Sequence, residues 1–321
     1  MSSARDPIKP VLWLLLATAC WGFSFPGMKA LLMAQAARAP HATEWFLVSQ
    51  TMVVRFGLAA VVMLAICGRS LRRLTRLDVK LGVGLGLFAG VATLVQVAGL
   101  NYTLASTSAF LTAFYVLLIP VTLAVWHRRW PSLLVWVSCG LVIAGMGTLC
   151  GVDWRAFRLG KGEWMTLLSS ALFMGQILWL DRPEFAGAEK GLATFVMLAT
   201  MSLGFVPMAL LTAQSPRDLI AVNASWPVAG LIVALVTISA VAAFYIMNVW
   251  QPRIHPTHAG LVYCAEPVFA SIYALFLPAW LSRWMGIAYP DEQLTMNLWI
   301  GGALVTAANV LIQFVPKEKE G

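Results

Sequence analysis

Residues Pro256–Leu281 read PTHAGLVYCAEPVFASIYALFLPAWL, and Glu266 is the only Asp, Glu, Lys or Arg among them. A helix of that length crosses about 30 Å of hydrocarbon, where a lone carboxylate is expensive and faces either a polar cavity or a partner. Either fate requires further helices around it. Nine more apolar stretches supply them, so that the predicted spans fall near 11–34, 46–67, 81–102, 106–126, 132–150, 163–180, 191–213, 228–250, 257–280 and 297–315. The fold class read from this pattern is an all-α membrane protein of ten transmembrane helices.

Composition agrees. Hydrophobic residues make up 60% of the 321 and charged residues 11%, with a mean hydropathy of +0.79; soluble domains run at roughly 45–50% apolar and about 25% charged. With the N-terminus inside, the segments on its side of the membrane hold fourteen Lys and Arg and the opposite side six. Because cytoplasmic loops accumulate these residues, both termini are predicted to be cytoplasmic. The net charge of +8 is then a matter of topology, and no nucleic-acid partner is expected. Most of the tryptophans sit near span ends, as interfacial anchors do. Cys20, Cys67, Cys139, Cys150 and Cys264 lie in or beside spans without metal-ligand spacing, so neither a disulfide, a metal site nor a cofactor is predicted.

The spans divide at a polar stretch. Residues 1–10 form a cytoplasmic tail, 11–150 a first group of five helices, 151–162 a connecting loop, 163–315 a second group of five, and 316–321 a second cytoplasmic tail. Asn101, at the end of the third span, precedes Pro120 of the fourth by nineteen residues, and Asn248, at the end of the eighth, precedes Pro267 of the ninth by nineteen, so the two registers coincide at an offset of 147 that sets Ile119 opposite Glu266. An odd number of spans per half inverts the second half in the membrane. The predicted architecture is therefore two inverted five-helix repeats around a central cavity, an arrangement found in secondary transporters.

The chain also resembles a known family. Ala19-Cys20-Trp21-Gly22-Phe23-Ser24-Phe25, Val54-Arg55-Phe56-Gly57-Leu58-Ala59-Ala60, Thr107-Ser108-Ala109-Phe110-Leu111-Thr112-Ala113 and Ala265-Glu266-Pro267-Val268-Phe269-Ala270 are similar to the first-, second-, fourth- and ninth-span motifs of the EamA family in the drug/metabolite transporter (DMT) superfamily. Gly140–Gly145 and Gly301–Val305 resemble its fifth and tenth spans. The acidic residue that often ends the family's fourth and ninth spans is absent from Trp126–Trp130 and from Pro278–Leu281, so the resemblance reaches the family and no narrower group. It implies a ten-span permease of a bacterial cell inner membrane, with a cavity lined by the first, third, fourth, sixth, eighth and ninth helices.

On those helices the candidate cavity residues are Trp21 and Phe25, Gln96, Phe110 and Phe114, Gln176 and Trp179, Tyr245 and Asn248, and Tyr263 and Glu266. Tyr263, Glu266 and Tyr273 share one side of an unbroken helix, and a carboxylate between phenols suits a cationic or amine-bearing ligand. Gln96 and Gln176 need hydrogen-bond partners, which either a ligand or a neighbouring helix supplies. Two uses stay open for Glu266: binding substrate or a proton, and bracing a helix. Arg55 reads as a structural charge, Lys29 as a side chain snorkelling to the interface, and Pro120 and Pro267 as mid-span hinges that free a backbone carbonyl.

The function expected from these features is alternating-access export or exchange of a small organic metabolite, an amino acid or amine among the candidates, by a monomer or weak dimer. Its partners are the lipid bilayer and the small-molecule substrate, with proton coupling through Glu266 as the hypothesis. The alternatives are a non-transporting membrane partner or receptor and a lipid-modifying membrane enzyme. For the enzyme, His41, His127, His255 and His258 provide no nucleophile-base cluster.

Overall fold

The computed structural model describes residues 8–312 except 101, 104, 154, 156–158 and 292. Asn101 of the predicted repeat and the tail 316–321 lie outside the described residues, as do residues 1–7. Among the described residues there are helices and no strands. In chain order these are α1 (Ile8–Arg38), α2 (Glu44–Cys67), α3 (Arg76–Leu100), α4 (Ala105–Thr112), α5 (Tyr115–His127), α6 (Leu133–Leu149), α7 (Lys161–Leu180) and α8 (Lys190–Thr212). The short α9 (Asp218–Ala221) then precedes α10 (Trp226–Ala234), a π-helical segment Leu235–Ala242, α11 (Ala243–Trp250), α12 (Pro256–Tyr263), α13 (Glu266–Ala274), α14 (Leu277–Met285) and α15 (Met296–Leu311).

Among the described residues six helices are long and apolar enough to cross a membrane, and a seventh span is available if the bent pair Pro256–Ala274 and Leu277–Met285, which turns by 58°, is taken as one. Together they make the chain an all-α membrane protein. Large apolar side chains on the outside, such as Leu133, Leu203, Leu211 and Trp226, are at home against lipid and would form an aggregating surface in water. α7 is 20 residues long yet is not one of the six, because it turns Thr166, Ser169, Ser170 and Gln176 into the protein interior. α6 and α15 are apolar but shorter, at 17 and 16 residues.

Several boundaries depart from the sequence reading. Ile8, Lys9 and Pro10 belong to α1 and not to a tail; Pro10 is tolerated because amides in the first helical turn have no carbonyl to pair with. The run 257–280 is three helices and not one. The connection 213–227 does carry an apolar cluster, in which Val222 packs with Ala39, Phe46 and Leu47.

Packing partners fix the arrangement. α2 lies along α8, α3 against both α7 and α8, and α6 along α15, while α1 contacts α10 to α14 and the π segment. α4 and α5 pack on α7, and α12 touches α5. The α6–α15 crossing needs glycine on both sides: a Cβ on Gly301 would stand 2.6 Å from the Gly145 carbonyl oxygen and 2.7 Å from the Leu149 amide nitrogen. Backbone atoms cannot rotate aside. Gly301→Val is therefore expected to destabilise the detergent-purified protein by about 1–3 kcal/mol, read as a lower melting temperature, while Gly140→Val, whose Cβ meets nothing within 4 Å, leaves it unchanged. Equal melting of the two variants contradicts the crossing.

Candidate functional site

The site is built where helices break. α12 ends at Tyr263 and α13 begins at Glu266, with Cys264 and Ala265 as the turn between them. In this geometry Pro267 stands in the first turn of α13, where a missing amide hydrogen breaks no bond, so it starts a helix and does not kink one. Glu266 is the first residue of α13 and so sits among unpaired backbone amides whose dipole favours a carboxylate. Pro120, by contrast, is inside α5. The carbonyl it leaves without a helical partner, that of Val116, accepts from the Cys139 thiol at 3.4 Å.

Glu266 is half-buried and interacts electrostatically with Arg55, Tyr115 and Cys264. Arg55, on α2, is 7% exposed. Its Nη2 donates to Ser239 Oγ of the π segment at 2.9 Å, and its guanidinium carbon lies 5.4 Å from the centre of the Phe56 ring. Glu266 and Arg55 attract one another but form no ion pair within 4.0 Å. Arg55 Nε is buried without a hydrogen-bond acceptor. A guanidinium has five donors, and leaving a buried one unpaired is costly.

Aromatic rings join this charge pair to a second orphan donor. Trp21 packs edge-to-face on Phe244 at 5.5 Å and on Tyr263 at 5.4 Å, and Phe244 in turn lies 6.3 Å from Phe56. Trp21 Nε1 is buried without an acceptor. Tyr263 is already committed, donating to Gln251 Oε1 at 3.0 Å, and Gln251 donates to the Ile177 carbonyl at 2.8 Å. The Cys264 thiol approaches the Tyr115 hydroxyl at 3.7 Å. One contiguous cluster therefore presents two unpaired N–H donors, one carboxylate and ring faces.

The remaining candidates have other surroundings. Phe25 is 52% exposed and lies outside the cluster. Tyr245 is 43% exposed whereas Asn248 is fully buried: three residues apart within α11, the two side chains diverge by about 60° around the helix, which leaves one at the surface and the other inside, where Asn248 donates to Thr194 Oγ1 at 2.8 Å. Gln96 donates to Thr112 Oγ1 at 2.7 Å and Gln176 to the Met247 sulfur at 3.9 Å, which joins helices. Phe110 and Phe114 pack edge-to-face at 5.2 Å. Tyr273 meets Phe23 at 6.2 Å and not the Trp21 cluster, since the break before α13 interrupts the helical register. Trp179 lies on the outer surface, its indole N–H donating to the Leu81 carbonyl at 3.3 Å. Lys29 stands 5.0 Å over the Tyr289 ring.

Both ends of the α1 contact with the second half are closed. At one end Gln35 donates to Asn223 Oδ1 and accepts from Thr51 Oγ1, each at 2.8 Å, while Asn223 donates to Gln50 Oε1 at 3.2 Å and Gln50 to the Leu219 carbonyl at 2.7 Å. His41 Nε2 lies 3.2 Å from Asp218. At the other end Trp13 stacks on Trp250 at 5.6 Å, with Arg253 4.0 Å from the same ring. Sequence reasoning passed over Gln35, Gln50 and Thr51, which stand at the ends of the predicted spans 11–34 and 46–67, where a polar side chain is less conspicuous than Gln96 or Gln176 within a span. Tyr115, Ser239, Phe244 and Gln251 carry no comparable signal.

No family model and no curated protein matches the chain. A solved crystal structure, described in its own words only as that of a protein, superposes with a TM-score of 0.69 over 98% of this chain and 100% of the other at 18% identity. At that identity the likeness is one of fold alone. The closed end yields its own test: Gln35→Leu removes partners from both Thr51 and Asn223 and is expected to lower stability by about 1–3 kcal/mol, measured by thermal melting in detergent. A melting temperature equal to wild type contradicts the network.

Proposed function

We propose that this protein is a secondary transporter that exports or exchanges a small organic metabolite bearing both a positive and a negative charge, of amino-acid type. The observation that carries this reading is the opposition of Arg55 and Glu266 without an ion pair, beside the unpaired donors Arg55 Nε and Trp21 Nε1. A zwitterion satisfies all of them at once. Its carboxylate takes the donors, its ammonium takes Glu266 at the start of α13, and an apolar substituent lies on the rings of Trp21, Phe244 and Tyr263. A purely structural pair in an apolar phase would close to contact, since attraction between charges grows as water is excluded.

The carrier reading includes ten spans arranged as two inverted five-helix repeats, as in the EamA family of the drug/metabolite transporter superfamily. What supports it is an exchange of packing partners. Counting α4 with α5, α10 with α11, and α12 to α14 as single spans, the first span packs on the eighth and ninth, while its counterpart, the sixth, packs on the third and fourth. The third packs on the seventh as the second does on the eighth, and the second–seventh, fourth–ninth and fifth–tenth contacts map onto themselves. Broken fourth and ninth spans are a further support, because interrupted helices in corresponding positions of two repeats point to the binding site. The breaks pair Tyr115 with Glu266, each the first residue after its break. The offset of 147 had paired Ile119.

In this reading both termini face the cytoplasm of a bacterial inner membrane, as the Lys and Arg distribution implies, and Glu266 alternates between binding a proton and the ammonium. Protonation removes its charge, so low pH on one side releases substrate there. Reconstituted protein is expected to show saturable counterflow of a zwitterionic amino acid. Glu266→Gln should lower that flux by on the order of tenfold or more and flatten its dependence on pH, and Arg55→Gln should lower it while Arg55→Lys retains part. Wild-type flux and pH profile in Glu266→Gln would sink the assignment.

A further inference from the structure

Away from the cluster, Trp179 helps to line an open groove of about 600 Å³ on the surface between α3 and α7. Its walls are apolar, from Leu74, Val79, Val83, Leu87 and Trp179, and Arg76, Lys80 and Thr75 stand along it. Gly84 forms part of its floor, and a Cβ there would stand 2.2 Å from Trp179 Nε1. The glycine lets the N–H edge of the indole approach the α3 backbone, where it donates to the Leu81 carbonyl. This is a surface slot that the central site does not use.

Charge at the groove is one-sided. Arg69, Arg72 and Arg73 precede Arg76 on the short 3-10 turn Gly68–Arg73 and the start of α3, all exposed and none in an ion pair. Lys80 reaches Glu184 at 3.0 Å, and Arg182, which stands 4.9 Å over the Trp179 ring, reaches the same carboxylate at 3.2 Å. One exposed carboxylate is thus shared by two cations. Asp78 is buried, with its oxygens taken by Thr75 and by the Glu189 amide.

From this geometry we infer that the α3–α7 groove is a binding site for an anionic phospholipid, with an acyl chain along Val79, Val83, Leu87 and Trp179 and the phosphate held by Arg76 and Lys80. The complementarity is of two kinds in the right order: a strip of cations at the helix ends, where headgroups lie, and an apolar slot running from it toward mid-membrane. Clustered basic residues beside a spanning helix attract anionic lipid, and chains add favourable contact for each buried methylene. The occupant explains why, among the described residues, Arg69, Arg72, Arg73 and Arg76 stand in no ion pair and why Lys80 only shares Glu184 with Arg182. The inference needs only that α3 and α7 lie in a bilayer, and it stands or falls apart from the transport assignment.

The test is native mass spectrometry of the full chain in mild detergent, supplied with dioleoyl phosphatidylglycerol or dioleoyl phosphatidylcholine, together with melting curves in those lipids and in glycerol 3-phosphate. Wild type is expected to retain phosphatidylglycerol in preference to phosphatidylcholine. Arg76→Gln with Lys80→Gln should lower that retention by on the order of tenfold, and Val83→Phe, which fills the slot, should lower retention of both lipids. Lys9→Gln with Arg253→Gln, two cations lost from α1 and from the end of α11, should leave retention unchanged. Melting curves without lipid verify that each variant is folded. The inference is overturned by equal retention of the two lipids, by an equal loss in the Lys9 and Arg253 pair, by glycerol 3-phosphate stabilising as strongly as the whole lipid, or by a dimer that the Arg76 and Lys80 substitutions dissolve.

Discussion

A guanidinium inside an apolar helix must find partners from other helices, and Arg55 is the point at which this constraint gathers the structure. Its bond to Ser239 joins α2 to the π-helical segment, and its attraction to Glu266 joins α2 to the start of α13. The π segment supplies one extra residue per turn at the place where Ser239 must face α2, which is a common use of such segments near functional sites. The break at Cys264 and Ala265 puts Glu266 at a helix start, where backbone amides help to hold its charge. Arg55 nonetheless keeps an unpaired Nε. A folded protein that leaves a buried charge part-satisfied stores an interaction for something else to complete.

Much of this was legible in the sequence, and the part that was not has a physical cause. Length and hydropathy predicted the helices because bilayer thickness sets a simple rule. Glu266 and Trp21 were legible because an ionisable group or a motif tryptophan in an apolar run stands out by composition alone. Facing could not be read so easily. A helical period places Tyr273 on one side with Tyr263, and it fails because the chain breaks at Cys264 and Ala265; Pro267 in the first turn of the next helix is the local mark of that break, and read inside one long span it passes for a kink. The same period sets Tyr245 near Asn248, yet the roughly 60° between them around α11 leaves one at the surface and buries the other. Arg55, read as a structural charge, joins α2 to the π-helical segment through Ser239 and also faces the carboxylate; nothing in its neighbours along the chain signals that Ser239 and Glu266 stand opposite.

The ends of the molecule extend the same logic. Gln35, Thr51, Asn223 and Gln50 satisfy one another in a buried network at one end of α1, and Trp13 on Trp250 closes the other. Both closures bind α1 to the second half, so the rocking that the proposed carrier function requires would break one of them while keeping its opposite. A polar network suits that task, because water replaces its hydrogen bonds when it opens and the net difference is small. An aromatic stack with cations on its face suits the same task in the proposed carrier, because its ring faces can exchange one cationic or apolar neighbour for another.

The central claim is that the two ends open in turn around Arg55 and Glu266. The most direct measurement is a pair of spin-label distances in reconstituted protein, one between positions 37 and 220 at the network end and one between positions 12 and 253 at the Trp13–Trp250 end. The account predicts two distance populations at each end, whose weights shift in opposite directions when a transported zwitterion is added. A single distance at each end, unmoved by substrate, would contradict it.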